Sequence, residues 1–384
     1  MNSPGHVPGG GRGRRRLTVS ILAAIAVVVI ALVVALVVSG NKHNQVSPPT
    51  TLPINTTNAF LVSGTRILGP HNQPFVPYGI VVFGLSNPDW ATSVHGDLTK
   101  IHAIATAWHA NTVRLQVAPN YLVSGGQTKQ FEAALKKEVT YARSLNLVVI
   151  ISAQTEHSGA IPMPNAMVEQ FWKVVAPLYS SDAAVWYDLF NEPRMKGASS
   201  GRLWNVWQNG GGGVVGMQSL VDTIRASANN IILAEGLHFA RTLKGLEPHL
   251  LKGSNIVYEV HSFFVKPNHV TPSEWTSDWG YLTSTVPLLV GAWSQYENGH
   301  GDCVQNAVTL VPTFLSYVRA HGVGLIGWAL SPGVLIRGNN PTQPTTITGT
   351  YSCTGAADKT DPQGAGQDLM TFFEQNARPA PALG

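Results

Sequence analysis

The stretch with the clearest chemical potential runs from Tyr187 to Arg194 and reads YDLFNEPR. The apolar run before it, Val185 to Phe190, has the length of a buried strand. Pro193 cannot donate a hydrogen bond to a sheet and ends that strand, so Glu192 stands at its carboxyl end. A carboxyl group there could exchange a proton with a bound molecule. Burial would raise its pKa and keep it protonated near neutral pH.

Eight apolar segments of strand length alternate with longer helical segments, which predicts an α/β fold of the (β/α)8 TIM barrel type. A short β-hairpin over Phe60 to Leu68 precedes them. A doubly wound open sheet is the alternative, but the Gly210–Gly213 run lacks the Lys-Ser/Thr of a phosphate loop. In chain order, the eight predicted strands are Val76–Phe83, Thr112–Val117, Leu147–Ser152, Val185–Phe190, Ile231–Ala234, Ile256–Val260, Leu288–Val290 and Leu325–Ala329.

Polar and aromatic side chains occur at several of the predicted strand ends, which converge on one mouth in a TIM barrel. They are Arg114 on strand two, His157 after strand three, Asn191 and Glu192 on strand four, His261 on strand six and Trp328 on strand eight. Each has an ordinary alternative role: ion pairing, a core histidine or plain packing. Together they offer hydrogen bonds and a flat apolar surface, the combination that binds sugars. We therefore predict a carbohydrate site.

The chain resembles glycoside hydrolase family 5, the cellulase-type barrels, over nearly all of the region that follows the linker described below. The motifs that carry the resemblance are Gly64-Thr65-Arg66-Ile67-Leu68, Pro77-Tyr78-Gly79-Ile80, Asn111-Thr112-Val113-Arg114, Phe190-Asn191-Glu192-Pro193, Val257-Tyr258-Glu259-Val260-His261 and Gly327-Trp328. The resemblance implies that Glu192 is the general acid/base and that Asn191 binds the substrate 2-hydroxyl. It also implies that Arg114 and His261 orient the carboxylates.

The resemblance further implies a β-linked glycan as substrate or ligand and requires no cofactor and no metal. At the same strand ends, we assign His157, Phe263 and Trp293 to the predicted substrate-binding surface.

The sequence departs from the family pattern at strand seven. Retaining glycosidases need a second carboxylate about 5–5.5 Å from the first, which the family carries in a Gly-Glu-aromatic motif. Here that motif reads Gly291-Ala292-Trp293, so a methyl group occupies the nucleophile position. The family's strand-six tyrosine, whose hydroxyl contacts the nucleophile, is replaced by Phe263. Two linked losses put the ordinary two-carboxylate mechanism in doubt.

Two other carboxylates are candidates for the missing group. Glu297 follows strand seven and is the candidate second carboxylate, and Glu156 follows strand three. Either could activate water in an inverting arrangement, which separates the carboxyls by about 6.5–9.5 Å; both could equally be exposed loop residues. Glu259 shares a face with His261 at a deeper level and is predicted to join a buried network. Glu235 is predicted to be structural.

These features favour a glycosidase that acts on O-glycosidic bonds of β-linked polysaccharide or oligosaccharide. A non-catalytic glycan-binding protein that lost its nucleophile at Ala292 is the first alternative. A cell-surface scaffold with a vestigial cleft is the second.

The N-terminal region is organised as a membrane anchor. Residues 1–16 form a basic tail, and Leu17–Val38 carry no charge, which is long enough to cross the hydrocarbon core, about 20 residues. We predict a signal-anchor over 17–39, a Pro/Thr/Asn linker over 40–58, the barrel over 59–379 and a tail over 380–384. The positive-inside rule places the N-terminus in the cytoplasm and the barrel outside. A cleaved signal peptide and a secreted barrel are the alternative.

Charge and cysteine content set further bounds. Residues 1–40 hold four of the 25 basic residues and no acidic residue. Residues 41–384 therefore carry 21 basic and 21 acidic residues, a net charge of zero. This balance gives no reason to expect nucleic acid as a partner. Cys303 and Cys353 lie in loop-like sequence outside the predicted membrane. Disulfides persist in that environment, so we predict that the two cysteines are bonded.

Overall fold

The computed structural model describes residues 59–156, 159–195, 200–264, 269–295, 307–347 and 364–381. A small antiparallel sheet comes first, with strands β1 (Leu61–Ser63), β2 (Arg66–Leu68) and β3 (Pro74–Phe75) in that spatial order. In the β1–β2 hairpin, Leu61 is opposite Leu68. The predicted hairpin is therefore present, and β3 adds a third strand to it.

Eight parallel strands then close into a barrel in which each strand pairs with the next and the last pairs with the first. All residues of these strands are buried, which explains why they read as continuous apolar runs. The predicted TIM barrel is confirmed. Its strands are β4 (Tyr78–Val82), β5 (Thr112–Val117), β6 (Val148–Ala153), β7 (Val185–Asp188), β8 (Ile232–Glu235), β9 (Ile256–Val260), β10 (Leu288–Trp293) and β11 (Gly324–Gly327).

Helices connect the strands and pack their apolar faces against the outside of the barrel. One of them begins at Asn165, whose side chain accepts a hydrogen bond from the Met167 N–H at 3.0 Å, as expected for an N-cap. The helices are α1 (Trp90–Thr106), α2 (Pro119–Val123), α3 (Thr128–Ser144), α4 (Ala166–Leu178), α5 (Ser200–Asn209), α6 (Met217–Arg225), α7 (Pro272–Asp278), α8 (Ala307–Ala320) and α9 (Gly366–Asn376).

The barrel interior consists of an apolar lower layer and a polar upper layer. Trp186 of β7 lies in the lower layer, where the rings of Phe60 and Phe75 approach it at 5.5 and 5.9 Å. The small N-terminal sheet thus closes the amino-terminal end of the barrel. Two residues further along β7, Asp188 faces the same interior, because strand side chains alternate with a period of two. Polar groups therefore collect at the carboxyl-terminal end, the mouth.

No helix within the described ranges is long and apolar enough to cross a membrane. The predicted anchor over 17–39 and the linker over 40–58 lie outside those ranges.

Candidate functional site

Arg114 is the centre of the polar layer beneath the barrel mouth. Its Nη2 donates to Asp188 Oδ2 and to Glu235 Oε1, both at 2.6 Å, and its Nε lies 3.5 Å from Glu259 Oε1. All four side chains are fully buried. The same Nη2 donates to Asn191 Oδ1 at 3.0 Å. Arg114 is therefore a buried ion-pair partner, one of the roles considered from the sequence, and it also holds the Asn191 side chain.

The buried carboxyls of this layer are shifted toward their neutral forms. Burial and the charge of Asp188 raise the pKa of Glu235 to about 7, against the opposing effects of His261 and Arg114. Burial likewise raises the pKa of Asp188 and of Glu259. Arg114 and His261 thus offset only part of the desolvation cost of the buried carboxylates. The protonation state of each carboxyl therefore depends on the charges of its neighbours in this layer.

Glu192 is held at the mouth by its backbone and by its side chain. Its φ of 56° lies in the left-handed region, which costs a non-glycine residue on the order of 1 kcal/mol or more and persists only where the surroundings impose it. Its N–H donates to Glu235 Oε2 at 2.6 Å, and its Oε1 lies 2.9 Å from His261 Nδ1. The side chain is 18% exposed. Glu192 is therefore a fixed carboxylate that reaches solvent at the mouth.

The protonation state of Glu192 differs from the sequence prediction. Burial acts to raise its pKa, but the hydrogen bond and the charge of His261 outweigh burial and lower it. Burial opposes the charged form of His261, yet the charge of Glu235 and the hydrogen bonds to three carboxylates raise the histidine pKa well above its usual value. At neutral pH the pair is a carboxylate and an imidazolium. The prediction of a protonated Glu192 was wrong because it considered burial without this partner.

Glu156 lies beside Glu192, on the same side of the mouth. Its carboxyl accepts a hydrogen bond from Gln154 Nε2 at 3.3 Å and pairs with Arg194 Nη1 at 3.4 Å. Burial and the charge of Glu192 raise the pKa of Glu156 to about 8. The role of Glu156 as a base for water in an inverting arrangement stays a prediction.

The strand-seven side of the mouth is apolar. Ala292 is 1% exposed and offers only a methyl group. A Cβ at Gly291 would lie 1.5 Å from Glu259 Oε1, so the glycine leaves room for that buried carboxylate. Within the described residues, no carboxylate occupies the position expected for a nucleophile opposite Glu192.

Trp293 does not contribute to the mouth, which corrects the prediction that it binds substrate. It is fully buried, and its ring stacks on Phe314 of α8 at 5.0 Å. The pairing of β10 with β11 shifts register between Val290 and Trp293. This β-bulge breaks the alternation of side chains and turns the tryptophan toward the helices.

Aromatic rings form one wall of the mouth beside His261. Phe263 lies perpendicular to the His261 ring at 6.2 Å and perpendicular to the Trp328 ring at 6.0 Å. Trp328 is partly exposed. The structure thus brings together predicted residues from two strand ends, His261 and Phe263 after β9 and Trp328 after β11.

A recess of about 650 Å³ lies next to Glu192 and was not predicted from the sequence. Phe239, in the loop after β8, is 42% exposed, and the Arg194 guanidinium lies 4.9 Å from the centre of its ring. Left-handed φ angles at His238, Phe239 and Ala240 shape this loop. In the sequence, Phe239 shortly after the fifth barrel strand is the signal that could have indicated this recess. The recess is lined by Pro162, Arg194, Met195, His238 and Phe239.

Glu235, Glu259 and His261 bring ligand-type atoms within 4.8 Å of one another, a spacing that a metal ion could use. However, Glu235 Oε1 and Glu259 Oε1 are each shared between Arg114 and His261. Because both oxygens already have two cationic partners, we assign this cluster to an ion-pair network.

Four predicted residues lie outside the described ranges, namely His157, Glu297, Cys303 and Cys353. Their assignments to substrate binding, to the second carboxylate and to a disulfide stay predictions.

Comparisons with solved structures show which fold the chain shares. A β-glucanase from Saccharophagus degradans in complex with cellotetraose is 18% identical; the match covers 87% of this chain and 99% of that one, with a TM-score of 0.63. The catalytic domain of endoglucanase Cel5A from Thermobifida fusca is 15% identical, with coverages of 84% and 99% and a TM-score of 0.60. The catalytic domain of the major endoglucanase from Xanthomonas campestris pv. campestris is 17% identical, with coverages of 82% and 98% and a TM-score of 0.60.

No curated protein sequence matches this chain. The family model described as cellulase (glycosyl hydrolase family 5) matches residues 70–334, a range that contains all eight barrel strands and every site residue described above. The chain therefore belongs to glycosyl hydrolase family 5.

Proposed function

We propose that this protein is a glycoside hydrolase that acts on O-glycosidic bonds of β-linked glucans, with Glu192 as its general acid/base. The observation that carries the proposal is the way Glu192 is held. A left-handed backbone, a hydrogen bond from its N–H to Glu235 and a contact with His261 together aim one carboxylate into the mouth. Strain of this kind is found where a side chain must keep one orientation for function.

The ligand class is supported by the site and by the structural neighbours. Hydrogen-bonding groups at Asn191 and Glu192 face an aromatic wall of Phe263 and Trp328, which suits the hydroxyls and the flat faces of sugar rings. The S. degradans β-glucanase was solved with cellotetraose. We propose that a β-glucan crosses the mouth and that its leaving-group end enters the recess beside Arg194 and Phe239.

A non-catalytic glycan-binding protein is the second candidate, and Ala292 favours it. A methyl group cannot attack an anomeric carbon or stabilise positive charge at it. Glu235 and Glu259 are fully buried and cannot reach a sugar. In the hydrolase proposal, Glu297 is the residue left to supply a second carboxylate.

The test is sugar release by the full-length chain from β-glucan, mannan and xylan, compared with its Glu192→Gln variant. Loss of the general acid/base should lower the rate by about 10²–10⁴-fold, with cellotetraose binding retained. Glu132→Gln is the matched control, since it removes a partly exposed carboxylate on α3, away from the mouth. If the wild-type chain binds cellotetraose and releases no sugar, the protein is the glycan-binding candidate.

We also propose that the chain is anchored in the cell membrane by residues 17–39, with the barrel outside. The basic tail and the uncharged run support this topology. Protease digestion of intact cells should remove the barrel. Barrel in the culture medium would instead indicate a cleaved signal.

A further inference from the structure

Two side-chain amides touch each other in the polar upper layer of the barrel, next to Glu192. Gln116 lies on β5 two residues after Arg114, so it faces the same interior one layer nearer the mouth. Its Nε2 donates to Asn191 Oδ1 at 3.3 Å. Both residues are nearly enclosed, with 3% of Gln116 and 2% of Asn191 exposed. The two amides are therefore fixed neighbours at the floor of the mouth.

The partners of these amides decide which end of each is the carbonyl. Arg114 carries only hydrogen-bond donors, so the Asn191 atom that its Nη2 contacts at 3.0 Å is the carbonyl oxygen. The Gln116 atom that bonds to the same oxygen must then be the amide nitrogen. The ends that remain are the NH₂ hydrogens of Asn191, which are donors, and the carbonyl oxygen of Gln116, which is an acceptor.

Both remaining ends are open to the mouth. Within the described residues, Asn191 Nδ2 and Gln116 Oε1 have no hydrogen-bond partner, and neither atom is fully enclosed. The apolar lower layer closes the opposite end of the barrel, so their exposure is toward the mouth. Gln154 differs, because both ends of its amide bond to Glu156, at 3.0 and 3.3 Å. Gln116 thus keeps an acceptor for a ligand, whereas Gln154 does not.

A donor beside an acceptor matches a single hydroxyl group. The oxygen of a hydroxyl accepts one hydrogen bond while its hydrogen is donated in another. The nitrogen of an acetamido group in the same position only donates, and its carbonyl oxygen points the opposite way because the amide is planar and trans. An acetamido sugar would therefore leave the Asn191 NH₂ without a partner in a nearly enclosed place. That loss weakens binding by about 10-fold or more.

We propose that Gln116 is a specificity-determining residue. Together with Asn191, it binds the hydroxyl on the carbon beside the reacting anomeric carbon and selects β-glycans in which this hydroxyl is unsubstituted. The inference rests on the proposed binding of a β-glycan across the mouth. Asn191 directly precedes Glu192, the proposed acid at the glycosidic oxygen, so a hydroxyl close to that oxygen is within its reach. The selected class is β-linked polymers of neutral hexoses, and polymers of N-acetylated amino sugars are rejected.

The first test compares two ligands on the full-length chain and on its Gln116→Met variant. The ligands are methyl β-cellobioside and its analogue without the hydroxyl beside the reducing-end anomeric carbon. Methionine keeps the length of the side chain but has no carbonyl acceptor. Loss of the ligand hydroxyl should weaken binding by about 10-fold in the wild type, where two hydrogen bonds disappear, and by about 3-fold in Gln116→Met, where one does. Titration followed by NMR gives the four dissociation constants, and their double ratio isolates the Gln116 contact.

Gln218→Met is the matched control. Gln218 lies on the outer helix α6, where its Nε2 donates to Asp222 Oδ1 and to Lys252 O, and this variant should behave like the wild type. A purely structural Gln116 would give another result, since Gln116→Met would then weaken both ligands by the same factor. An unchanged effect of the ligand hydroxyl in Gln116→Met would therefore overturn the proposal.

The second test needs no variant. Methyl β-chitobioside carries acetamido groups in place of the hydroxyls beside the anomeric carbons, and it should bind the wild-type chain at least about 10-fold more weakly than methyl β-cellobioside. Equal affinities would show that the mouth does not select this hydroxyl, and the proposal would be wrong.

The outcomes also separate this inference from the proposed hydrolysis. If the chain shows the expected selectivity but releases no sugar from β-glucan, the assignment of Gln116 stands and the hydrolysis is wrong. If the chain releases sugar but the effect of the ligand hydroxyl is the same in Gln116→Met as in the wild type, the hydrolysis stands and the assignment of Gln116 is wrong.

Discussion

The two sides of the barrel mouth are built in different ways. On the acid side, Glu192 contacts His261 and Glu235, and each of these is bonded to further groups. On the strand-seven side, Gly291 and Ala292 present hydrogen and methyl groups within a β-bulge.

The two sides also differ in how many buried groups a substitution would disturb. The acid side is a connected network in the barrel interior, so removing one member leaves buried charges without partners. Ala292, the predicted nucleophile position, is a single residue where the register with β11 shifts, and the strands around it stay paired. We therefore expect the fold to be more sensitive to substitutions on the acid side than to substitutions at Ala292.

The largest expected effect comes from restoring the missing groups. The double variant Ala292→Glu/Phe263→Tyr should raise β-glucan hydrolysis by on the order of 10²-fold or more, the scale of one well-placed catalytic group. Its product should keep the β-anomeric configuration, which is read by NMR during turnover. Ala292→Gln/Phe263→Tyr is the matched control. If the variant is folded and its rate stays at the control level, Ala292 is not the nucleophile position.

The next largest effect is expected from removing Arg114, the central cation of the buried network beneath Glu192. Arg114→Met removes the cation that pairs with Asp188 and Glu235, and it should lower the free energy of unfolding by about 3–5 kcal/mol. Urea denaturation measures this change. Lys173→Met, which removes an exposed pair with Glu169, should cost no more than about 0.5 kcal/mol. Equal effects of the two variants would mean that the buried network adds no stability beyond that of a surface pair.

The acid side should also make stability depend on pH. The pKa of Glu235 is raised from 4.5 to about 7 in the folded state, so the folded state binds more protons between those values and its stability falls as pH rises through this window. The raised pKa of His261 acts in the same direction, because its contribution is present below pH 6.5 and is lost above that. Melting temperature should therefore fall from pH 5 to pH 8.

Glu235→Gln should flatten that decline, whatever its effect on stability at a single pH. If the melting temperature of Glu235→Gln falls with pH as steeply as that of the wild type, other groups cause the pH dependence.

The smallest effect concerns the recess next to the acid side. Phe239→Ala removes an exposed ring and should weaken cellotetraose binding by about 0.5–1.5 kcal/mol, measured by calorimetry. Val174→Ala, which truncates an exposed apolar residue on α4, is the control and should leave affinity unchanged. Unchanged affinity in Phe239→Ala would place the sugar elsewhere along the mouth.

Local sequence patterns were sufficient for the barrel and for the position of the acid side. Continuous apolar runs alternated with helical segments, so the strand number and the strand ends followed directly. For Thr112–Val117 and Ile256–Val260 even the boundaries agree with the structure. Arg114, Glu192 and His261 could be grouped in advance because parallel strands bring their carboxyl ends to one mouth.

Features that depend on contacts between distant residues could not be predicted in this way. The side that Trp293 faces is decided by a bulge in the pairing with β11, which local alternation does not reveal. The lowered pKa of Glu192 is decided by a hydrogen bond to a residue 69 positions away. The ion pair between Glu156 and Arg194, 38 positions apart, requires the loops after β6 and β7 to be joined.

The sequence by itself determined the barrel, the carboxylate at the end of its fourth strand and the methyl group at the end of its seventh. Periodicity and residue type are local properties, and these features follow from them. Only the tertiary structure decided which groups carry protons and which side chains reach a ligand. Both depend on burial and on neighbouring charges, which exist only once separate strands are packed together.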